Sequence, residues 1–222
     1  MSKVRRETVV DQGVTLLRTR ILDSDLVPGT PITEEAMAAA LGMSRPTVRE
    51  VLKTLAMQGL LTRDPKTRIL AVTTLSSAEV QEIYRARRVL ELAGVDAAAH
   101  ASDDELRQLV AAVDEMARAA AAGDTAALVA ADTRSHTCTV GFLRSRHLSE
   151  LHNQLMARLS LAITQVEESD NRDDAELVRR HREYGDLVLA RDTAAAKKSL
   201  LARLEEAEQL VLISSGVTGP GA

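Results

Sequence analysis

Near the start of the chain, Val10, Val14, Leu17 and Ile21 recur at helical spacing. Val27-Pro28-Gly29-Thr30-Pro31 then breaks the chain. Thr33 is a good N-cap for a short helix, Glu34 to Leu41, which Gly42 ends. Ser44 caps a third helix that tolerates Pro46 in its first turn. Val48, Val51, Leu52 and Leu55 form the apolar stripe of that helix, and Gly59 closes it. Leu60 to Arg63 and Arg68 to Val72 read as two short strands joined by Asp64-Pro65-Lys66-Thr67. Two helices linked by a glycine-containing turn and followed by a β hairpin predict a winged helix-turn-helix over residues 1–72, with a two-stranded wing.

Residues 73–75 read as a linker, after which the pattern becomes wholly helical. Ser76 with Glu79, and Ser102 with Glu105, have capping-box spacing. About six helices are predicted, over residues 76–100, 103–121, 125–143, 147–168, 173–190 and 193–213, with turns at Gly123-Asp124, Asp170-Asn171 and Arg191-Asp192. The expected fold class is therefore mainly α: a winged helix-turn-helix followed by an all-α bundle over residues 76–215. The tail 216–222 is read as disordered.

Composition changes the picture in two ways. Ala, Leu and Val supply most of the apolar content, and the only aromatic residues are Tyr84, Phe142 and Tyr184, which are expected in the core. That scarcity argues against base-stacking platforms and so against most readers of single strands. The net charge of −4 conceals an asymmetry: residues 1–72 hold 11 Lys and Arg against 8 Asp and Glu, and the remainder 17 against 24. A basic module joined to an acidic one suggests a nucleic-acid head with a partner domain. The single cysteine, Cys138, excludes an internal disulfide framework, and neither a signal sequence nor a membrane span is evident. A cytoplasmic location is expected.

The residues opening the third helix, Ser44-Arg45-Pro46-Thr47-Val48-Arg49-Glu50, are those a recognition helix presents to the major groove. Arg45 and Arg49 stand four apart on the face opposite the apolar stripe, and arginine bonds guanine O6 and N7 bidentately. Ser44 and Thr47 offer hydroxyls to phosphate at a helix N-terminus. Lys53 adds charge to this helix, while Arg63, Lys66 and Arg68 lie in the wing, placed to follow the backbone or enter the minor groove. The expected partner is a double-stranded operator.

The run Leu41-Gly42-Met43-Ser44-Arg45-Pro46-Thr47-Val48-Arg49-Glu50-Val51-Leu52, followed by Leu55-Ala56-Met57-Gln58-Gly59-Leu60-Leu61, resembles the signature of GntR-family bacterial transcription regulators. Val27-Pro28-Gly29 and Pro65-Lys66 fit the same pattern, and the later helices look like the FCD effector domain of the FadR subfamily. The resemblance spans roughly residues 8–213. Three departures stand out: Glu35 where the family often has Arg, Thr67-Arg68 where a wing-tip Gly is usual, and Arg45-Pro46-Thr47-Val48 in place of Arg-Thr-Pro-Val.

Polar residues interrupt the apolar helix faces of the second domain. Arg87 lies in the stripe Val80, Ile83, Leu90, Gly94, and Asp132 and His136 lie with Leu128 and Thr139. His181 and Tyr184 accompany Leu177 and Val188, and Arg203 lies among Ala196, Leu200, Ala207 and Leu210. Buried charge is costly unless paired, so these groups are expected to converge on one another or on a ligand. Asp132 and His136, four apart, suit a divalent metal. The resemblance implies a metal set of Asp132, His136, His181 and a further histidine, for Zn, Mn or Ni, but Arg203 occupies that last position. Arginine cannot ligate a cation, which leaves two readings: the remaining three ligands, Asp132, His136 and His181, hold the metal, or Arg203 partly takes its electrostatic role. With neutral histidines, Arg87 and Arg203 against Asp132 leave +1, which suits a small anionic effector such as a carboxylate. The resemblance agrees, since relatives sense organic acids, sugar acids or acyl-CoA. His100, His147 and His152 are expected at the surface or in caps. Cys138 faces away from His136.

These features predict a ligand-responsive regulator, a repressor acting as a homodimer, and not an enzyme. The alternatives are a metal-dependent hydrolase using Asp132, His136 and His181, or a helical scaffold without a ligand.

Overall fold

The computed structural model describes residues 8–22, 25–64, 67–167 and 173–214. Lys66 and the 216–222 tail lie outside the described residues. The chain divides into two compact units. One runs to Leu75 and takes in Ala157–Thr164; the other holds Ser76–Met156 and the chain from Gln165 onward.

In the first unit, α1 (Val9–Leu22), α2 (Glu34–Leu41) and α3 (Arg45–Met57) enclose an apolar core. Leu17, Val48, Val51, Leu55 and Leu60 are its fully buried members. Thr33 and Ser44 cap α2 and α3 as the sequence implies, accepting from the amides of Ala36 and Thr47. Gly42 takes the left-handed conformation, φ 63°, that ends α2.

The wing gains a strand over expectation. Strands β2 (Leu61–Arg63) and β3 (Leu70–Val72) pair antiparallel, and β1 (Pro31–Ile32) adds to the far side of β3. The Pro31 segment, read above as a break, is an edge strand. An edge suits proline because its missing donor leaves no ladder bond unmade. The wing tip lacks the family's glycine, and Arg68 itself adopts φ 61° there. Asp64 offsets that strain, its Oδ1 accepting from the Thr67 amide at 2.6 Å and the Thr67 hydroxyl at 3.0 Å.

The second unit is all-helical: α4 (Ser77–Ala98), α5 (Asp103–Ala122), α6 (Thr125–Gly141), α7 (Arg146–Glu167), α8 (Asp174–Leu189) and α9 (Thr193–Ser214). Both capping boxes form, at Ser76–Glu79 and Ser102–Glu105. Helix α4 packs against α6 and α9, α5 against α6 and α8, and α8 against α9. The inward stripe of α9 differs from expectation at its end, where Glu208 and Val211 are buried and Leu210 is exposed. The three aromatic side chains are all buried.

Helices α4 and α6 approach closely at Gly94. A Cβ there would fall within 2.8 Å of the Thr139 carbonyl carbon and closer still to its oxygen. Gly94→Ala would raise helix propensity by about 1 kcal/mol at an unconstrained site, but overpacking costs about 1–3 kcal/mol. We expect a net loss of stability in urea unfolding, whereas a gain would show that the two helices are free to separate.

Candidate functional site

Helices α4, α6, α8 and α9 bring Arg87, Asp132, His136, His181, Tyr184 and Arg203 into one polar cluster. The centre of this cluster is a residue that the apolar-stripe reading passed over, Glu91, which is fully buried. Its Oε1 accepts from Arg87 Nε at 2.8 Å and from His152 Nε2 at 3.2 Å, and its Oε2 lies 2.6 Å from His136 Nδ1. Burial raises the Glu91 carboxyl, but the Arg87 charge and the histidine contacts more than offset this and hold it well below its ordinary value. Arg87 and Arg203 are 3% and 7% exposed, so neither head snorkels to solvent. Each guanidinium lies over a tyrosine ring, Arg87 over Tyr84 and Arg203 over Tyr184, both at 5.0 Å. The Tyr184 hydroxyl is fixed in turn by the Thr139 hydroxyl at 2.8 Å.

Two of the imidazoles have their tautomers set by these contacts. An ionised Glu91 can only accept, so His136 carries its proton on Nδ1. His181 Nδ1 stands 2.8 Å from the Leu177 carbonyl and must likewise donate. Both Nε2 lone pairs are left toward Asp132, whose Oδ1 is 2.8 Å from His181 Nε2 and 3.8 Å from His136 Nε2. Burial lowers the His136 ring to about 4 against the pull of Glu91, keeping it neutral. Burial raises the Asp132 carboxyl, but nearby positive charge, of which the Arg203 guanidinium is the permanent source, more than offsets this and holds it below its ordinary value.

Three acceptors facing one another need a cation. Arg203 supplies it, with Nη2 2.5 Å from His181 Nε2, while burial lowers its own pKa. Ligand atoms of Asp132, His136 and His181 lie within 4.8 Å of one another. The Glu91 and Leu177 contacts would orient the two histidines as metal ligands. In this arrangement, however, the His181 lone pair faces the Arg203 guanidinium, so the site does not fit a divalent ion together with Arg203.

Two expectations are corrected here. His152, expected at the surface, is fully buried on α7, whereas His100 and His147 are exposed. The +1 balance also fails, because Glu91 offsets one arginine and brings Arg87, Arg203, Glu91 and Asp132 to neutrality. The Arg87-x-x-Leu90-Glu91 spacing was the available signal, since it puts a carboxylate one turn from a buried guanidinium. His152 carried a signal of the other kind, since it falls with Leu148, Leu155 and Leu159 on the apolar stripe of α7. Cys138 is half-buried, and burial raises its thiol, which disfavours the thiolate.

In the first unit Arg45 and Arg49 are exposed on α3, as are Ser44 and Lys53, with Arg63 and Arg68 exposed in the wing. Several are already engaged. The Ser44 hydroxyl caps α3 and lies 2.8 Å from the Thr47 hydroxyl, Lys53 pairs with Glu50 at 3.8 Å, and Arg63 donates to the Arg68 carbonyl at 3.0 Å. Arg49 donates through Nε and Nη2 to both carboxylate oxygens of Glu34, each at 2.8 Å.

Glu91→Leu would leave Arg87 buried without its partner, a situation that costs about 3–5 kcal/mol. Arg87→Met combined with Glu91→Leu should recover most of that loss in urea unfolding. A double variant no more stable than Glu91→Leu alone would mean that Glu91 matters for reasons other than its ion pair.

The sequence matches the model of the FCD domain over residues 82–206 and that of bacterial regulatory proteins of the gntR family over residues 10–70. The uncharacterized HTH-type transcriptional regulator YdhC of Bacillus subtilis (strain 168) is 28% identical over 84% of this chain and 83% of its own length. A Paenarthrobacter nicotinovorans protein named "Probable D-xylose utilization operon transcriptional repressor" is 29% identical over 89% of this chain and 86% of its own. A GntR transcriptional regulator structure from Rhodococcus sp. RHA1 superposes with a TM-score of 0.81 at 26% identity, covering 94% of this chain and 98% of the other. The chain thus belongs to the GntR family, as a DNA-binding transcriptional regulator with an FCD effector domain and not an enzyme.

Proposed function

We propose that this regulator senses a small carboxylate through Arg203 and releases its operator in response. The observation carrying this reading is that Arg203 Nη1 is buried and has no hydrogen-bond partner among the described residues. A buried guanidinium N–H left unpaired is costly, and a carboxylate is its natural acceptor. Neutrality of the cluster does not remove this preference, because its charges are segregated. Arg87 is engaged by Glu91, whereas Arg203 retains a free edge. His152 Nδ1 is also buried without a partner among the described residues and, as an acceptor, suits a ligand hydroxyl. No divalent metal is required, since Arg203 holds the cationic position beside Asp132 and His181. The hydrolase alternative loses its premise for the same reason.

Residues 1–72 form the reading head, 73–75 the linker and 76–215 the effector domain. Thr73 supports coupling between them: its amide bonds the Leu60 carbonyl at 3.0 Å and its hydroxyl the Gly59 carbonyl at 2.8 Å, so the linker starts from a fixed point. The protein works as a homodimer in the cytoplasm, its two α3 helices reading half-sites in successive major grooves. The ligand must favour one arrangement of the heads, since equal affinity for both shifts nothing. Repression as the outcome is supported by the name of the Paenarthrobacter relative.

A thermal-shift screen of carboxylates should find compounds that raise the melting temperature by several degrees, as saturating ligand adds about 2.7 kcal/mol at a hundredfold excess over Kd. Arg203→Ala should abolish the shift. Persistence of the shift in that variant would rule out Arg203 as the anion contact. In gel shifts with DNA upstream of its own gene, the same compounds should release the wild-type protein, and Arg45→Ala should weaken binding. Unchanged binding by Arg45→Ala would contradict the assigned readout.

A further inference from the structure

The ion pair between Arg49 and Glu34 joins the recognition helix to the helix before it. Glu34 is the first residue of α2, directly after the Thr33 cap, so its backbone is held by the helix start. Its carboxylate takes both Arg49 Nε and Nη2, each at 2.8 Å, in a bidentate fork. That fork occupies one edge of the guanidinium and leaves Nη1 with the outer proton of Nη2. The remaining edge is the geometry that guanine O6 and N7 accept. A groove of about 630 Å³ lies beside the pair, between α3 and the wing strands, with Arg49, Lys53 and Arg63 on its exposed sides and the buried Leu52 and Leu61 beneath. Glu34 thus places a carboxylate beside Arg45, Arg49 and Arg63, cations that would face phosphate. The Arg49 hydrogen bond, with the charges of Arg45 and Arg63, holds its carboxyl below the ordinary value, so it is ionised.

A carboxylate in this place opposes nonspecific binding, which depends on neutralising phosphates. It also restricts Arg49, a long side chain with many rotamers when unpaired. We propose that Glu34 is a positioning residue for sequence reading: it holds Arg49 by one edge so that the other is presented to a single guanine, and it weakens attraction to unrelated DNA. This rests on Arg49 being a base-reading residue. Glu34 exchanges total affinity for discrimination, an effect with no counterpart in a merely structural ion pair.

The test uses the full chain. A random-sequence duplex library passed over the wild-type protein yields its preferred duplex. Affinities are then measured for that duplex, for each of its single-base variants and for a scrambled control. Arg49→Ala should flatten preference at one base pair. Glu34→Gln should lower discrimination at that same base pair by about five- to a hundredfold, the range of a good arginine–guanine pair, while raising affinity for the scrambled duplex severalfold. Glu34→Asp keeps the charge but is too short for the fork, so it should lose discrimination without gaining affinity for the scrambled duplex. Glu34→Gln with Arg49→Ala should discriminate no worse than Arg49→Ala alone.

If Arg49→Ala flattens one position while both Glu34 variants discriminate as the wild type does, the positioning role is overturned and Arg49 remains a reader. If Arg49→Ala flattens no position, the reading beneath the proposal fails, and the proposal with it. A loss of affinity for specific and scrambled duplexes alike in both folded Glu34 variants would also overturn it, because only a structural role predicts that result.

Discussion

The polar interior of the helical domain depends on one buried carboxylate. Glu91 on α4 receives Arg87 from its own helix, His136 from α6 and His152 from α7. A carboxylate at zero exposure is tolerable only with such partners, because the cost of desolvating it exceeds what a single contact returns. Once ionised, Glu91 dictates more than its own contacts. It can only accept, so it places the His136 proton on Nδ1 and turns the Nε2 lone pair toward Asp132. The Leu177 carbonyl does the same to His181 from within α8. The tautomers of two histidines, and hence the electrostatic character of the space around Asp132, follow from acceptors outside that space.

That space would be strongly electron-rich if Arg203 were neutral or shorter. Its guanidinium meets the His181 lone pair, and the face of Tyr184 supports it from one side. A histidine here would add a fourth lone pair and make a metal set, whereas arginine adds the charge directly and closes it. One substitution on α9 thereby changes what the same three residues do. They become the anchor of a cationic side chain whose other nitrogen remains to be satisfied.

Much of this was legible in the sequence, and the failures have physical causes. Capping residues, turn glycines and apolar spacing placed every helix because each is a local signal. The third strand escaped because Pro31-Ile32 is too short for a period of two to show, and it exists only by pairing with β3, far away in sequence. Asp132, His136, His181 and Arg203 were found because a polar residue on an apolar stripe implies a compensating partner. Glu91 and His152 were not: Glu91 stands one turn from Arg87 and His152 falls among Leu148, Leu155 and Leu159, but which groups they meet is set by neighbouring helices and not by spacing along one. Missing Glu91 alone moved the expected charge of the cluster from neutral to +1. At the wing tip, Arg68 in a conformation usual for glycine could not be foreseen from residue type.

The central claim is that Arg203 stands in for a metal ion. Elemental analysis of the purified full-length protein, after incubation with Zn, Mn or Ni and removal of free ions, tests it most directly when run beside Arg203→His. The account predicts no stoichiometric metal in the wild-type chain and about one ion per chain in the variant, whose four ligands would complete a site of known preference. A stoichiometric ion in the wild type, held with Arg203 intact, would contradict it.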